Sequence, residues 1–213
     1  MKKTLLSCLV MALAILSATA QQRPNIIFIM ADDLGYGDVG AYGKRLISTP
    51  RIDALAREGQ SFTRFYAGSP VCAPSRSALM TGQHTGHTRI RGNANVALQE
   101  TDITLPALLQ KAGYSTGMIG KWGLGDQQTT GAPNKKGFDY FYGFANQTLA
   151  HNYYPEAVWE NERPDSLGNK VDYVPKDVGK GIGGIAREKK AYVHDRFLEK
   201  ALSFLDDNRN RPF

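Results

Sequence analysis

The stretch NIIFIMADDLG, residues 25–35, decides how the fold is interpreted. From Ile26 to Ala31 it is apolar and begins with β-branched residues, and it then changes abruptly to Asp32-Asp33. A short apolar run of this kind is typical of a strand that is buried on both faces of a sheet. Ligands of open α/β proteins bind beyond the carboxyl ends of parallel strands, so the two acids stand where a site is expected.

Helix and strand signals alternate along the rest of the chain. Proline near the start and glycine at the end predict three helices, within 49–59, 75–81 and 104–113. Apolar runs predict strands at 61–68 and 114–119. Apolar spacing predicts a last helix between 193 and 205, after a polar, Gly-rich surface loop at 160–186. The alternation predicts an α/β fold with a mainly parallel sheet sandwiched by helices.

The first 20 residues have the pattern of a secretory signal peptide, with two lysines, an apolar run and the small residues Ala18-Thr19-Ala20. The sequence therefore predicts a secreted or periplasmic protein with no stable membrane anchor, whose folded part is the domain 21–213. The formal net charge of +6 falls to +4 when the two leader lysines are subtracted. This excess is spread along the chain without a basic block, so no nucleic-acid partner is expected.

Asp32 and Asp33 are candidate metal ligands. Two adjacent carboxylates at a strand end repel one another and are costly to desolvate together, so they need solvent or a cation. A hard divalent ion such as calcium or magnesium prefers oxygen ligands of this kind. The alternative is a solvated turn or a helix cap, and the pair by itself leaves both interpretations open.

Cys72 is the single cysteine that remains once the leader, which contains Cys8, is removed. It precedes Pro74 in the segment CAPSR, so it is expected just before a helix N-terminus, where free N–H groups and the helix dipole stabilise a negative charge. Arg76, four residues later, is close enough to bind the same anion. Chemistry alone suggests that Cys72 is a thiolate nucleophile with a lowered pKa. The alternative is a buried cysteine that takes no part in the chemistry. Sulfur is, however, a poor ligand for the hard cation expected at Asp32 and Asp33.

The order of these motifs resembles a known family. C-x-P-S-R at 72–76, with Asp-Asp upstream and Gly-Lys-Trp at 120–122, is similar to the N-terminal portion of a type I sulfatase, an arylsulfatase-like, formylglycine-dependent enzyme of the alkaline phosphatase-like superfamily. The resemblance covers essentially all of residues 23–213. It implies an alkaline phosphatase-like fold that is truncated at the C-terminal side, because the family takes further metal ligands, a lysine and a histidine from beyond Phe213. It also implies that the 213-residue chain is inactive by itself.

The resemblance implies a role for each matching residue. Cys72 corresponds to the cysteine that a formylglycine-generating enzyme or maturase converts to Cα-formylglycine, whose hydrate touches both metal and substrate. Asp32 and Asp33 correspond to ligands of Ca²⁺. Arg76 corresponds to the arginine that steadies the hydrate, and Lys121 to the lysine that neutralises sulfate oxygens.

One position departs from the family pattern. The family often has GKWHLG, whereas this chain has Gly123 in place of the histidine. His151, in the aromatic segment AHNYYP, is the candidate that the sequence offers to fill this space. We therefore include His151 among the expected catalytic residues.

The function implied by the resemblance is hydrolysis of a sulfate ester of a carbohydrate or aryl alcohol, with a sulfated small molecule or glycan as the partner. Two alternatives stay open. One is a phosphoesterase or phosphonate hydrolase of the same superfamily. The other is an inactive carbohydrate-binding remnant.

Overall fold

The computed structural model describes residues 23–43, 47–173 and 183–213. The predicted leader, residues 1–20, lies outside this part of the chain, and so does part of the predicted loop, residues 174–182. Among the described helices, none combines the length and the apolar character that a membrane span requires.

The described helices are α1 (Pro50–Glu58), α2 (Cys72–Thr81), α3 (Leu105–Lys111) and α4 (Val193–Asn208). The strands are β1 (Gly117–Lys121), β2 (Tyr140–Phe144), β3 (Ala157–Glu160), β4 (Arg163–Ser166), β5 (Lys170–Asp172) and β6 (Ile185–Glu188). Short 3₁₀ helices cover Tyr36–Asp38, Gly40–Tyr42, Pro133–Lys136 and Leu149–His151.

The predicted helices are confirmed, with one shift. Pro50 is the first residue of α1, and Pro106 lies in the first turn of α3, where a missing backbone N–H costs nothing. α2 begins at Cys72 and not at Ser75, because Pro74 also fits within a first turn. Cys72 therefore belongs to the helix itself and does not precede it. α2 ends where Gly82 adopts the left-handed conformation, with a φ of 66°.

A mixed sheet forms the centre of the fold. Its strand order is β1-β2-β3-β4; β1 and β2 are parallel, and the other two pairs are antiparallel. The strands β1 and β2 approach so closely that a Cβ at Gly143 would collide with the carbonyl oxygen of Gly120. A glycine is therefore needed at position 143 for this pairing.

Helices cover both faces of this sheet, as expected. Phe141 of β2 points into a cluster with Ala73 and Met80 of α2, whereas Tyr142 packs on the opposite face in a cluster with Phe197 of α4. Alternate residues of a strand point to opposite faces, so β2 anchors two separate apolar layers. The result is a helix–sheet–helix sandwich.

The structure corrects the prediction of a surface loop at 160–186. β4 extends the main sheet, and β5 pairs with β6 as a separate hairpin. These strands are only three or four residues long and largely exposed, so they lack the apolar alternation that marks a strand in a sequence.

Two predicted strands are not formed. Residues 26–31 are not part of a regular strand, and Ile27 and Ile29 are 62% and 82% exposed. Among the described residues, the single backbone hydrogen bond of this run is donated by the Ile26 N–H to the Phe213 carbonyl, at 2.7 Å. Residues 61–68 are likewise irregular and exposed. A strand exists only through its neighbours, and the described part of the chain pairs neither run with another strand.

Candidate functional site

Three segments that are distant in sequence meet at one edge of the sheet. Lys121 ends β1, Asp32 follows the apolar run 26–31, and Cys72 begins α2. The Lys121 Nζ donates a hydrogen bond of 2.8 Å to Asp32 Oδ2 and one of 3.1 Å to Cys72 Sγ. A cation thus bridges a carboxylate and the lone described cysteine.

Arg76 adds a second cation to this group. It lies four residues after Cys72 in α2, its guanidinium is 3.5 Å from Asp32 Oδ2, and it donates a hydrogen bond to the Lys121 carbonyl. The side chains of Arg76 and Lys121 are only 12% and 8% exposed, whereas Asp32 is 41% exposed. Two largely buried cations thus share one carboxylate, an arrangement that leaves hydrogen-bond donors of both for an anionic ligand.

The ionisation of these groups follows from the same contacts. Burial alone raises the pKa of Asp32, but the hydrogen bond and charge of Lys121 and the charges of Arg76 and His151 outweigh it and hold the pKa below its ordinary value. Burial lowers the pKa of Arg76, against the opposing charges of Asp32, Cys72 and Asp33. Arginine nevertheless keeps its charge in proteins, so the site contains an ionised acid and a permanent cation.

Asp33 and His151 lie on the wall of the same cavity, which also contains Asp32, Arg76 and Lys121 and has a volume of about 1080 Å³. Asp33 is exposed and adopts a left-handed backbone conformation, with a φ of 58°. Such conformations are uncommon for residues with a Cβ and are concentrated at functional sites. His151 ends the short helix Leu149–His151 and is exposed. All six predicted site residues are thus close together, four of them in direct contact.

The Asp32 and Asp33 carboxylates are the kind of ligand that a hard cation prefers, but there are too few of them to complete its coordination. Asp32 and Asp33 offer oxygen ligands, which calcium prefers, yet calcium takes six to eight of them. Across residues 23–43, 47–173 and 183–213, no group of three or more His, Cys, Asp or Glu side chains could hold a metal ion. The described residues therefore offer two neighbouring carboxylates, Asp32 and Asp33, which are fewer oxygen ligands than a calcium ion takes.

Two residues near the start of α2, Asn93 and Gln147, have no signal in the sequence. Asn93 Oδ1 accepts a hydrogen bond of 3.0 Å from the Ala73 N–H, and the Asn93 carbonyl accepts one of 3.3 Å from Gln147 Nε2. These contacts join residues 20 and 54 positions apart, so no local pattern could have indicated them.

Gln147 also fills the space next to Gly123. A Cβ at position 123 would lie 3.0 Å from the Cβ of Gln147 and 3.4 Å from its Oε1. That Oε1 is buried and has no hydrogen-bond partner among the described residues. His151 lies on the cavity wall with Asp32, whereas Gln147 is the side chain that adjoins Gly123.

Comparisons with known proteins identify the family to which the chain belongs. The family model described as Sulfatase matches residues 24–213. Human arylsulfatase D is 43% identical over 136 residues, which is 57% of this chain and 23% of that protein. A structure from work on the metabolism of multiple glycosaminoglycans by Bacteroides thetaiotaomicron aligns with a TM-score of 0.71 and 30% identity, over 91% of this chain and 50% of that one.

A third relative was solved with its ligand. BT4656, in complex with its substrate D-glucosamine-2-N,6-O-disulfate, aligns with a TM-score of 0.68 and 32% identity, over 90% of this chain and 33% of that one. The chain thus spans between about a quarter and a half of the length of these three proteins. The family match extends over almost every described residue, from the apolar run before Asp32 to the end of α4 and beyond. The chain therefore belongs to the sulfatase family and has the alkaline phosphatase-like α/β fold of its structural neighbours.

Proposed function

We propose that the protein is a sulfuric ester hydrolase that removes sulfate from a carbohydrate or aryl sulfate ester. The observation that carries this proposal is the contact of one ammonium group, Lys121 Nζ, with both Asp32 and Cys72. A sulfate group at this edge would meet two fixed and largely buried cations, Lys121 and Arg76. A carbohydrate substrate is supported by BT4656, whose substrate is a sulfated glucosamine.

We propose that Cys72 is a precursor of the reacting group. A maturase would remove the sulfur as sulfide and take two electrons from the Cβ, while water supplies the aldehyde oxygen of Cα-formylglycine. In this proposal, the oxygens of the hydrated aldehyde would take the position that the Cys72 Sγ has here. Oxygen suits this place better than sulfur, since its neighbours are an ammonium group and the carboxylates of a proposed calcium site.

The cofactors and the protein side chains would have different roles in the reaction. The hydrated side chain at position 72 would supply the attacking oxygen, and Ca²⁺ held by Asp32, Asp33 and that side chain would draw charge from the ester. Lys121 and Arg76 would neutralise the charge that grows on the transferring group, which is usually the largest contribution to the rate. His151, on the wall of the same cavity, would give a proton to the departing alcohol.

We propose that the 213-residue chain by itself has little or no activity. Asp32 and Asp33 supply fewer oxygens than calcium needs, so the ion would be held weakly by the described residues alone. We further propose that residues 1–20 direct the protein to the periplasm or the outside of the cell, where it would meet sulfated molecules.

Two measurements test the proposed function. Mass spectrometry of the peptide that contains Cys72, after expression with a maturase, should show a loss of about 18 Da, because one sulfur and two hydrogens are exchanged for one oxygen. The full-length matured protein should hydrolyse p-nitrophenyl sulfate faster than p-nitrophenyl phosphate. Faster hydrolysis of the phosphate would indicate the phosphoesterase alternative. Glycan binding without hydrolysis would indicate a carbohydrate-binding remnant.

A further inference from the structure

The first turn of α2 contains Cys72, and a side chain from outside the helix caps this turn. Val71, the residue before α2, is apolar, so it cannot cap the free N–H groups with its own side chain. The Ala73 N–H instead donates to Asn93 Oδ1 at 3.0 Å. Ala73 is only 1% exposed, so without this acceptor its N–H would be buried and unpaired. Asn93 therefore supplies the cap from 20 residues further along the chain.

Asn93 is held in place from two sides. Earlier in its own segment, Thr88 shares a buried side-chain hydrogen bond with Ser77 of α2, and Ile90 is fully buried. These anchors lead the chain back along α2 towards its first turn. From the other side, Gln147 Nε2 donates to the Asn93 carbonyl at 3.3 Å. The backbone of Asn93 is thus fixed, although the residue is exposed.

The contact with Asn93 sets the orientation of the Gln147 amide. Only the amide nitrogen can donate to the Asn93 carbonyl, so the Gln147 Oε1 faces away from it. That Oε1 is buried and has no partner in the part of the chain that the structure describes, which costs free energy. A buried acceptor of this kind calls for a functional reason. Support of Asn93 by the other end of the same amide provides one.

These contacts form a relay, by which we mean the hydrogen bonds that link Gln147 to Asn93 and Asn93 to Ala73. The relay ends one residue after Cys72, whose Sγ lies 3.1 Å from Lys121 Nζ. A displacement of about 1 Å between reacting groups can cost about a hundredfold in rate. The cap on the first turn of α2 therefore bears on the position of the side chain at 72.

We propose that Asn93 is a positioning residue, which holds the first turn of α2 so that the side chain at position 72 faces a sulfate bound by Lys121 and Arg76. Gln147 acts through Asn93 and does not touch the substrate. The kinetic consequences of this inference rest on the proposed hydrolase function, whereas the relay itself is tested without hydrolysis.

The kinetic test uses the full-length matured protein and p-nitrophenyl sulfate. Asn93→Leu keeps the size of the side chain and removes the acceptor, so kcat should fall by about tenfold or more. KM should stay within about twofold, because Lys121 and Arg76 still bind the sulfate. Asn93→Asp keeps an acceptor for the Ala73 N–H and should retain kcat within about threefold. Asn93→Ala repeats the test if Asn93→Leu alters the circular dichroism spectrum.

Asn134→Leu is the matched control. Asn134 Nδ2 donates to the Phe138 carbonyl, which precedes the amino end of β2, whereas Lys121 lies at the carboxyl end of the parallel strand β1. The control thus makes the same substitution and removes a hydrogen bond at the far end of the sheet. It should leave kcat unchanged.

A double-variant experiment tests whether Gln147 acts through Asn93. Gln147→Met removes the donor without adding a charge and should lower kcat by about threefold to tenfold. Combined with Asn93→Leu, it should lower kcat no further, because the cap that Gln147 supports is already lost. Equal losses in the two backgrounds would contradict the relay.

Hydrogen exchange of the Ala73 amide, followed by NMR in the 213-residue chain with unmodified Cys72, separates failure of the relay from failure of the proposed function. Asn93→Leu should raise the exchange rate at least about fivefold, and Asn93→Asp should not. If the full-length protein does not hydrolyse the sulfate, this rate alone decides, and an unchanged rate in Asn93→Leu overturns the proposal. With hydrolysis present, the proposal is also overturned if Asn93→Leu keeps kcat, if it raises KM instead, or if Asn93→Asp loses as much.

Discussion

Gln147 occupies the volume beside Gly123 that any side chain at position 123 would need, with 3.0 Å between a Cβ there and the Cβ of Gln147. Gly123 itself has a φ of 80°. Two separate obstacles, backbone strain and crowding, therefore oppose a histidine at this position.

This relationship predicts a specific coupling between the two residues. Gly123→His should lower the free energy of unfolding by about 2–4 kcal/mol, through left-handed strain and overpacking. Adding Gln147→Gly should recover only the part of the free energy of unfolding that is lost through crowding, because the backbone strain at position 123 remains. Thermal melting of both single variants and the double variant checks the prediction. Strictly additive effects would show that Gln147 does not crowd position 123.

Lys121 is expected to be more important for activity than any exposed lysine. In the full-length matured protein, Lys121→Met should lower kcat by about 10²–10³-fold, since a fixed charge aimed at the reacting group contributes roughly this much. Lys111→Met, at the exposed end of α3, is the matched control and should leave kcat unchanged. Steady-state kinetics on an aryl sulfate provide the measurement. Equal kcat values for the two variants would remove Lys121 from the proposed mechanism.

Calcium binding by the 213-residue chain should be weak, with a Kd above about 10⁻⁴ M, because two carboxylates form a partial shell. Asp33→Asn should abolish what binding remains. Asparagine tolerates the left-handed conformation of position 33 as well as aspartate does, so this variant changes charge and not backbone strain. Asp207→Asn, on the exposed surface of α4, is the control for net charge. Isothermal titration calorimetry that gives a submicromolar Kd would contradict the proposed partial shell.

The contact between Glu160 and Lys200 should make stability fall in acid. The hydrogen bond from Lys200 lowers the pKa of Glu160, against burial, with a further contribution from the Tyr140 hydroxyl. A carboxyl group whose pKa is lower in the folded state stabilises that state above its unfolded pKa and loses this effect as the pH falls through the folded pKa. The loss should therefore begin near pH 4.5 and continue below it.

Lys200→Met should flatten this acid dependence and cost at most about 1 kcal/mol at neutral pH, because the pair is partly exposed. Urea unfolding at several pH values between 3 and 7 measures both effects. An acid dependence identical to that of the unsubstituted protein would mean that Glu160 is not its source. Arg209→Met, whose partner Asp206 is exposed, provides a control ion pair.

The helices were predictable because their signals are local. Pro50 and Pro106 lie in the first turns of α1 and α3, and Gly59 and Gly113 follow within two residues of the ends of these helices. The run 26–31 misled the prediction for the opposite reason. Its composition is that of a buried strand, but burial and pairing depend on other segments, and the described residues leave most of it uncovered.

The residues of the candidate site also fall into two groups, those that the sequence predicts and those that it does not. Asp32, Cys72, Arg76 and Lys121 were found because each belongs to a short motif whose chemistry is visible in the sequence, and the structure brings them into contact. Gln147 was not found, since its relation to Gly123 and Asn93 arises only through the folded backbone. The catalytic roles of these four residues stay predictions.

The uncovered run from Ile26 to Ala31 has a consequence for handling the protein. It contains no charge, no proline and no glycine, and it leaves the ribosome before the four described α-helices. Six-residue segments of this composition readily stack into intermolecular cross-β assemblies when they are exposed. We therefore expect the chain to aggregate from this segment first, so that dilute conditions or early chaperone binding would decide its yield.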